Sequence, residues 1–415
     1  MARDGGITVD VSRLLTGLRF PQPTGIERIE LGLARNLRPD SGGIALTPIG
    51  ARGLTSRDRH TVASTAASHW EAGAFSIEEE LAPVWQFLRG EQTLSETRRR
   101  ASPFPLSVLP TLARSVFRSP GSAVRQGGAY LHANFYRLER PDYFLWLGKR
   151  PDIKPAFLLF DLLPIQFPQF FRSGEDRLHA LRIATAARLG QVLITSAETV
   201  AADLRDYLAT HNLPTPRIES VGLPVDDIFR TQPKTGVAPD VPPFFIVCGT
   251  IEPRKNHRLL LEVWDRLSKS AHSPPKLIIA GRRGWNNREV FDQLDRLGPL
   301  SGLVFEAPAL STGALARITA QARGLLSPSF SEGYGLPVAE AMALGVPVIA
   351  SDCPVYRELW SGQATLIDPV KAKNWVDAIL AIGETAVTSG LNLRAPRVMD
   401  WARHVQRMEA VLDAS

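Results

Sequence analysis

Cysteine is nearly absent. Cys248 and Cys353 are the only two in 415 residues, too few for a disulfide framework, and they fit a reducing, cytoplasmic setting. No run of about 18 uninterrupted apolar residues occurs, which argues against a membrane-spanning helix. The opening MARDGGITVDVSRLL lacks an apolar core of the secretory kind, so no signal peptide is expected. There is no internal repeat at a period of 20–50 residues, which sets aside solenoids and propellers. Walker A loops, a G-x-G-x-x-G fingerprint and an Asp-x-Asp pair are also missing. The first two absences remove P-loop NTPases and two-domain NAD dehydrogenases. What remains is an ordinary globular balance, 44% hydrophobic and 22% charged, enough apolar surface for real cores. The net charge of +6 is compatible with an anionic ligand, a membrane surface or nucleic acid, and does not choose among them.

The positive charge is uneven. Residues 93–126 carry six arginines (Arg98, Arg99, Arg100, Arg114, Arg118, Arg125) against Glu96 alone, interleaved with Phe104, Leu106, Leu109, Leu112, Val116 and Phe117. A basic, apolar stretch of this kind can lie on an anionic membrane. It can equally be a solvated loop, or a helix packing its apolar side inward. Pro103, Pro105 and Pro110 prevent one continuous amphipathic helix. A nucleic-acid surface would need a denser basic stripe with aromatics, so no nucleic-acid partner is expected.

Residues 231–243, TQPKTGVAPDVPP, read as a linker. Before it, apolar runs at Ile7–Val11, Ala156–Phe160 and Gln191–Thr195 alternate with helical text at Gly25–Leu37, Asp176–Leu189 and Ala197–Thr210. After it the alternation sharpens. Strands are expected at Phe244–Cys248, Lys276–Ala280, Val304–Ala307, Gly324–Ser327 and Val346–Ala350. Helices are expected at Arg258–Ser268, Glu289–Leu297, Thr312–Arg323 and Pro337–Leu344. Short apolar strands alternating with helices predict an α/β chain of two doubly wound domains facing a cleft, with parallel sheets covered on both faces. The boundaries read 1–235, 240–398 and, for a C-terminal amphipathic helix, 399–415. That helix can pack on its own domain or cross back to the first.

Two loops carry chemistry. In FFIVCGTIEPRKNHRLLLEVW a strand runs into a turn at Gly249, and Arg254 and Lys255 follow at or near a helix start. Free backbone N–H groups, the positive helix end and two cations suit a phosphate or pyrophosphate. The plainer alternative is a capped helix with two solvated cations. In SPSFSEGYGLPVAEAMALGVPVIASDCPV, Glu332 and Glu340 flank a glycine turn at a helix start. Carboxylates there can accept hydrogen bonds from vicinal sugar hydroxyls. Alternatively, Glu332 only complements the helix dipole and Glu340 lies on the surface.

From Gly249 to Pro354 the chain resembles the donor half of retaining nucleotide-sugar glycosyltransferases of the GT-B fold, family 4. The pieces that carry the resemblance are G-T-x-E-P-R-K-N at 249–256, I-I-A-G at 278–281 and S-x-x-E-G-Y-G-L-P-x-x-E-A-M-A-x-G-x-P-V at 329–348, in the family's order and spacing. TVDVSRLL, TGIERIELGLARNL and FDLLPIQFP are similar to a subgroup acting on bacterial surface polysaccharides. The resemblance is weakest over 38–130.

The resemblance implies a GT-B fold of two Rossmann-like domains. Arg254 and Lys255 would bind the donor pyrophosphate and stabilise the departing nucleoside diphosphate. Glu332 would contact hydroxyls of the transferred sugar and Glu340 those of the ribose. Gly249, Thr250 and the backbone of Gly333, Tyr334, Gly335 and Leu336 would approach phosphates or sugar. Gly281 and Arg282 would border the base. Gly25 would face the donor phosphates or the acceptor. Many relatives carry a His-Asp pair where this chain has Phe160 and Asp161. Asp161 is therefore assigned an acceptor-side or catalytic role, with His132 as a second candidate, and Ser196 is read as a helix cap. Arg282, Arg283 and Trp285 can also be a plain surface loop.

The implied reaction is retaining hexose transfer from a nucleotide sugar, GDP-mannose first, to a lipid-linked or polysaccharide acceptor. A dTDP- or UDP-sugar donor and a catalytically inactive assembly protein are the alternatives. No metal and no cofactor are expected, because Arg254 and Lys255 supply the positive charge. A cytoplasmic location is expected, peripheral at the inner membrane face if 93–126 binds lipid.

Overall fold

The computed structural model describes residues 6–71, 76–91, 104–231, 241–307, 310–384 and 398–414. The linker residues 232–240 and the Arg98–Arg100 run fall outside them.

Two sheets carry the chain. The first has seven strands: β1 (Ile7–Asp10), β2 (Gly43–Thr47), β3 (Gly50–Leu54), β4 (Ala129–His132), β5 (Lys154–Leu159), β6 (Val192–Thr195) and β7 (Arg217–Ser220). They lie in the order β3-β2-β1-β4-β5-β6-β7. The second has six: β8 (Phe244–Cys248), β9 (Lys276–Ala280), β10 (Val304–Ala307), β11 (Gly324–Ser327), β12 (Val348–Ser351) and β13 (Thr365–Ile367). Their order is β10-β9-β8-β11-β12-β13. Every pairing is parallel except the β2–β3 hairpin. Strand order turns outward from β1 and from β8, so each sheet has a switch point beside its first strand. Both switch points open on the space between the sheets.

The central strands read as unbroken Val, Ile, Leu and Phe runs because helices bury both faces. Phe245, Val247, Leu277 and Ile279 point into a core under the helices His257–Ser270 and Ala372–Glu384. Phe244, Ile246 and Ile278 point to the opposite face, into a cluster that continues through the first sheet.

Two helices tie the halves together. Ile77–Arg89 lies early in the chain yet packs on the second sheet. Phe87 stacks on Phe305 at 5.0 Å between ring centroids, and Ser311 donates through N and Oγ to Glu80 at 2.9 and 2.8 Å. The C-terminal helix Trp401–Asp413 crosses back to the first sheet. Trp401 Nε1 donates to Asp226 at 2.9 Å, and Lys154 Nζ donates to the Leu412 carbonyl at 2.9 Å. Its indole lies against Gly32 on the helix Gly25–Asn36, where an added Cβ would stand 1.7 Å from the ring.

The segment 104–126 forms short helical turns, including the helix Leu109–Ser115. Arg114 pairs with Asp58 and Arg125 with Asp40, so these two cations are partly neutralised. Leu106 is 70% and Phe117 94% exposed, with Leu109 and Val116 also outward.

Candidate active site

The register of the second sheet builds the site. Cys248 pairs with Ala280, so the residues after them, Gly249 and Gly281, leave the sheet side by side. Gly249 holds φ 134, and a Cβ on Gly281 would fall 1.8 Å from the Gly249 carbonyl oxygen. Neither position accepts a side chain. The chain then makes a short 3-10 turn, Pro253–Lys255, and enters the helix His257–Ser270 through Asn256 in the left-handed region. Asn256 Nδ2 donates to the carbonyls of Pro328 and Pro369, at 3.2 and 2.9 Å, which fixes this turn against the loop after β11.

Arg254 and Lys255 are not solvated cations. Both grip Glu332: Arg254 Nη1 lies 2.9 Å from Oε2 and Lys255 Nζ 2.5 Å from Oε1. Arg254 also donates to the Ser331 carbonyl and to Glu252, each at 2.7 Å. Burial alone would raise the Glu332 carboxyl, but Arg254 and then Lys255 outweigh it and hold the group down to about 2. Glu252 has the opposite balance: burial raises it in spite of Arg254 and Lys255.

Glu340 is buried, not on the surface. Its partner is Arg28 of the first half, Nη2 to Oε1 at 2.6 Å. Burial pushes this carboxyl up to about 7 even with Arg28 opposing. Arg28 was not singled out from the sequence, although it lies within the TGIER text. A cation one turn into a helix gives no signal until the facing carboxylate is known. Gly25 opens that same helix behind a Thr24–Glu27 capping box. It is thus the first helical residue, and its Cβ position lies 3.2 Å from Leu336 across the cleft.

The glycine turn after β11 presses on the end of β5. A Cβ on Gly333 would meet the Phe160 carbonyl oxygen at 2.4 Å and Asp161 Cβ at 2.8 Å. Gly335 holds φ 90 with the Tyr356 ring 2.5 Å from its Cβ position, and it starts the helix Leu336–Ala343. Tyr334 turns its hydroxyl away to the Leu223 carbonyl, at 2.9 Å. Ser196 does not cap the following helix, whose N-cap is Ala197. Its Oγ reaches the Gly333 carbonyl at 2.7 Å instead, with the Phe160 carbonyl at 3.1 Å. The hydroxyl links the two halves at their closest approach.

Asp161 lines the cavity, and its Oδ1 accepts from the Leu163 N–H at 3.0 Å, as a turn carboxylate does. His132 is elsewhere, fully buried in the first core, with Nδ1 3.1 Å from the Tyr130 hydroxyl. It does not line the cavity. The 282–285 loop is a bridge more than a plain surface loop. Arg282 lies 5.5 Å from the Phe20 ring centroid, and Trp285 Nε1 donates to the Phe170 carbonyl at 2.9 Å.

These groups enclose a cavity of about 760 Å³, the size range of small-ligand sites. Gly25, Asp161, Gly249, Thr250, Arg254, Lys255, Gly281, Arg282, Glu332, Gly333, Tyr334, Gly335, Leu336 and Glu340 all line it, so of the site residues named from the sequence the second candidate His132 is left outside. Arg13, Arg28, Arg172 and Glu252 join them. Among the described residues, no group of three or more His, Cys, Asp or Glu is placed to hold a metal ion, and no helix is long and apolar enough to cross a membrane.

Comparison with known proteins agrees with this geometry. The family model described as glycosyl transferases group 1 matches residues 229–386. The serotype-specific mannosyltransferase WbdA of Escherichia coli is 26% identical over 63% of this chain and 38% of its own length. O-antigen chain mannosyltransferase B of Escherichia coli is 37% identical over 33% of this chain and 35% of its own. The chain thus spans little more than a third of either relative. Among solved structures, Anabaena Alr3699/HepE in complex with UDP and glucose aligns over 99% of this chain and all of its own, with a TM-score of 0.64 at 15% identity. That likeness establishes the fold, the two-sheet GT-B architecture.

The Glu332 carboxyl gives a direct test of the charge array. Folding lowers it from 4.5 to about 2. Its contribution is therefore complete above about pH 4.5 and is lost as pH falls to about 2, roughly 3 kcal/mol in all. Urea unfolding of wild type and Glu332→Gln should show the variant less stable at pH 5 and above, with the gap closing on acidification. A gap independent of pH would refute the array as drawn.

Proposed function

We propose that this chain, whose residues 229–386 match the family model of the glycosyl transferases group 1, transfers a hexose from a nucleotide sugar to a lipid-linked or polysaccharide acceptor of a bacterial surface glycan. The donor assigned is GDP-mannose. The observation that carries the reading is the Arg254–Lys255–Glu332 array in a cavity between two sheets, with Glu340 on the far side of the glycine turn. The mannosyltransferase relatives support the choice of sugar and of acceptor class.

The chemistry follows from what each group can exchange. A donor diphosphate takes the hydrogen bonds that Arg254 and Lys255 now give to Glu332. The released carboxylate turns to hydroxyls of the transferred sugar, and Glu340 accepts from the ribose diol. As the bond from the anomeric carbon to the phosphate oxygen breaks, the two cations stabilise the departing charge. The acceptor hydroxyl attacks from the same face and passes its proton to that phosphate oxygen, so configuration is retained. Asp161, at the β5 end, holds the acceptor side, where Phe160 offers no titratable group. Positioning supplies the rest of the rate. The positive charge comes from side chains, so the reaction as proposed runs without a metal ion.

The exposed Leu106, Leu109, Val116 and Phe117 support a cytoplasmic location at the inner membrane face. Arg118 stands beside Phe117, and the charges of Arg98–Arg100 precede them in sequence. Exposed apolar side chains in a basic stretch of sequence suit an anionic bilayer.

A panel of GDP-, UDP- and dTDP-sugars scored by thermal shift and transfer tests the assignment. GDP-mannose should stabilise the protein, and Glu332→Ala should keep the fold and lose transfer by at least about a hundredfold. Transfer at the wild-type rate by that variant sinks the role, and stabilisation by a UDP- or dTDP-sugar alone replaces the donor. Separately, Phe117→Glu should reduce flotation with phosphatidylglycerol vesicles several-fold. Unchanged flotation contradicts the membrane face.

A further inference from the structure

The charge array is balanced before any ligand arrives. Arg254 and Lys255 bring two positive charges, and Glu252 and Glu332 bring two negative ones, all within ion-pair distance. A pyrophosphate diester adds two more negative charges to the same buried volume. These four groups by themselves offer no surplus to meet them.

Glu252 is the group built to respond. It is 3% exposed. Its Oε1 accepts from Arg254 at 2.7 Å, while its Oε2 is fully buried with no hydrogen-bond partner. A buried carboxylate oxygen without a partner is costly in the ionised form. Protonation removes that cost. Glu252 also lines the cavity that Arg254 and Lys255 line. The other charged groups facing this volume are Glu332 from the loop after β11, Arg282 and Arg283 from the loop after β9, Glu340 paired with Arg28, Arg13 paired with Glu27, Arg172 over the Trp285 ring, and Asp161 from the first half. Arg283 is already held by Glu306 and Asp295, both at 2.7 Å. Arg282 rests on Phe20. Glu332 is held firmly ionised by its two cations, so it is not the group that takes a proton.

We propose that binding of the nucleotide-sugar diphosphate is coupled to uptake of one proton from solvent at Glu252, on its unpartnered Oε2. This rests on the donor assignment made above. Protonation removes one of the carboxylate charges that repel the diphosphate, and it leaves Arg254 to the ligand. The same coupling makes donor affinity fall as pH rises, because the proton must be gathered from a scarcer pool. Burial already raises this carboxyl in the free protein, and the arriving anion raises it further.

Calorimetry reads the proton directly. The full-length protein is titrated with GDP-mannose, and separately with UDP-glucose, near pH 7.5 in PIPES and in Tris, with no acceptor present. Both ligands are pyrophosphate diesters that do not themselves titrate near neutrality. The difference in observed heat between buffers gives the protons exchanged. Wild type should take up about one proton more than Glu252→Gln, which should still bind. Donor affinity of wild type should also weaken toward tenfold per pH unit between about pH 7 and 8.5, a slope the variant lacks. Glu340, pushed up to about 7, is present in both proteins, so its share cancels in the difference.

Binding heat that is the same in both buffers for wild type overturns the proposal. So does wild-type uptake retained by Glu252→Gln, or binding that needs Mg²⁺ and exchanges no proton. Absence of binding by either sugar nucleotide is a different result: it overturns the donor assignment, and this proposal with it.

Discussion

The site depends on one carboxylate shared by two cations. Glu332 is buried where no isolated charge could stand, and it is tolerated only because Arg254 and Lys255 meet both of its oxygens. The pair comes from the loop after β8 and the carboxylate from the loop after β11, strands that are neighbours in the sheet. Pulling these loops together also fixes Gly333 and Gly335, the turn that meets the first half. The arrangement is poised to exchange partners. The cations already point at a common anion, and a phosphate can take the place of a carboxylate with little rearrangement.

The same turn is where the halves meet. Ser196 and Tyr334 cross the boundary by hydrogen bonds to main-chain carbonyls. Glu358 caps the helix Glu198–Thr210 from the opposite half, accepting from the N–H groups of Glu198 and Thr199 at 2.8 and 2.7 Å. A carboxylate at a helix start meets unsatisfied N–H groups and the positive end of the helix dipole. Arg28 and Glu340 add a buried ion pair. The cavity is therefore assembled from both sheets, and a Cβ at Gly333 would disturb its donor and acceptor sides together.

The second sheet was legible in the sequence except for its edge strand β13, because its central strands are short, continuous runs of Val, Ile, Leu and Phe bounded by clear helical text. The β2–β3 hairpin was not. GIALT and GARGL are glycine- and alanine-rich, with Ile44 and Thr47 the only β-branched residues among the ten, and give a weak strand signal. Arg217–Ser220 was hidden for another reason: as an edge strand it is half-buried throughout and mixes charge with apolar residues. Most polar and glycine residues lining the cavity from the second half were reached through the family resemblance of their motifs. Arg28 and Glu252 were not assigned roles, because what marks them is a partner, or the lack of one, brought from a distant part of the chain. Ser196 was misread for the same reason. A serine before a helix looks like a cap, and only the folded position of Gly333 reveals its other use.

The central claim is that Arg254 and Lys255 exchange Glu332 for a donor diphosphate. A crystal structure of the protein soaked with GDP-mannose tests it most directly. The account predicts phosphate oxygens within hydrogen-bond distance of both cations and Glu332 turned to the hexose hydroxyls. A bound sugar nucleotide with Glu332 still held by both cations, and its diphosphate elsewhere, would contradict it.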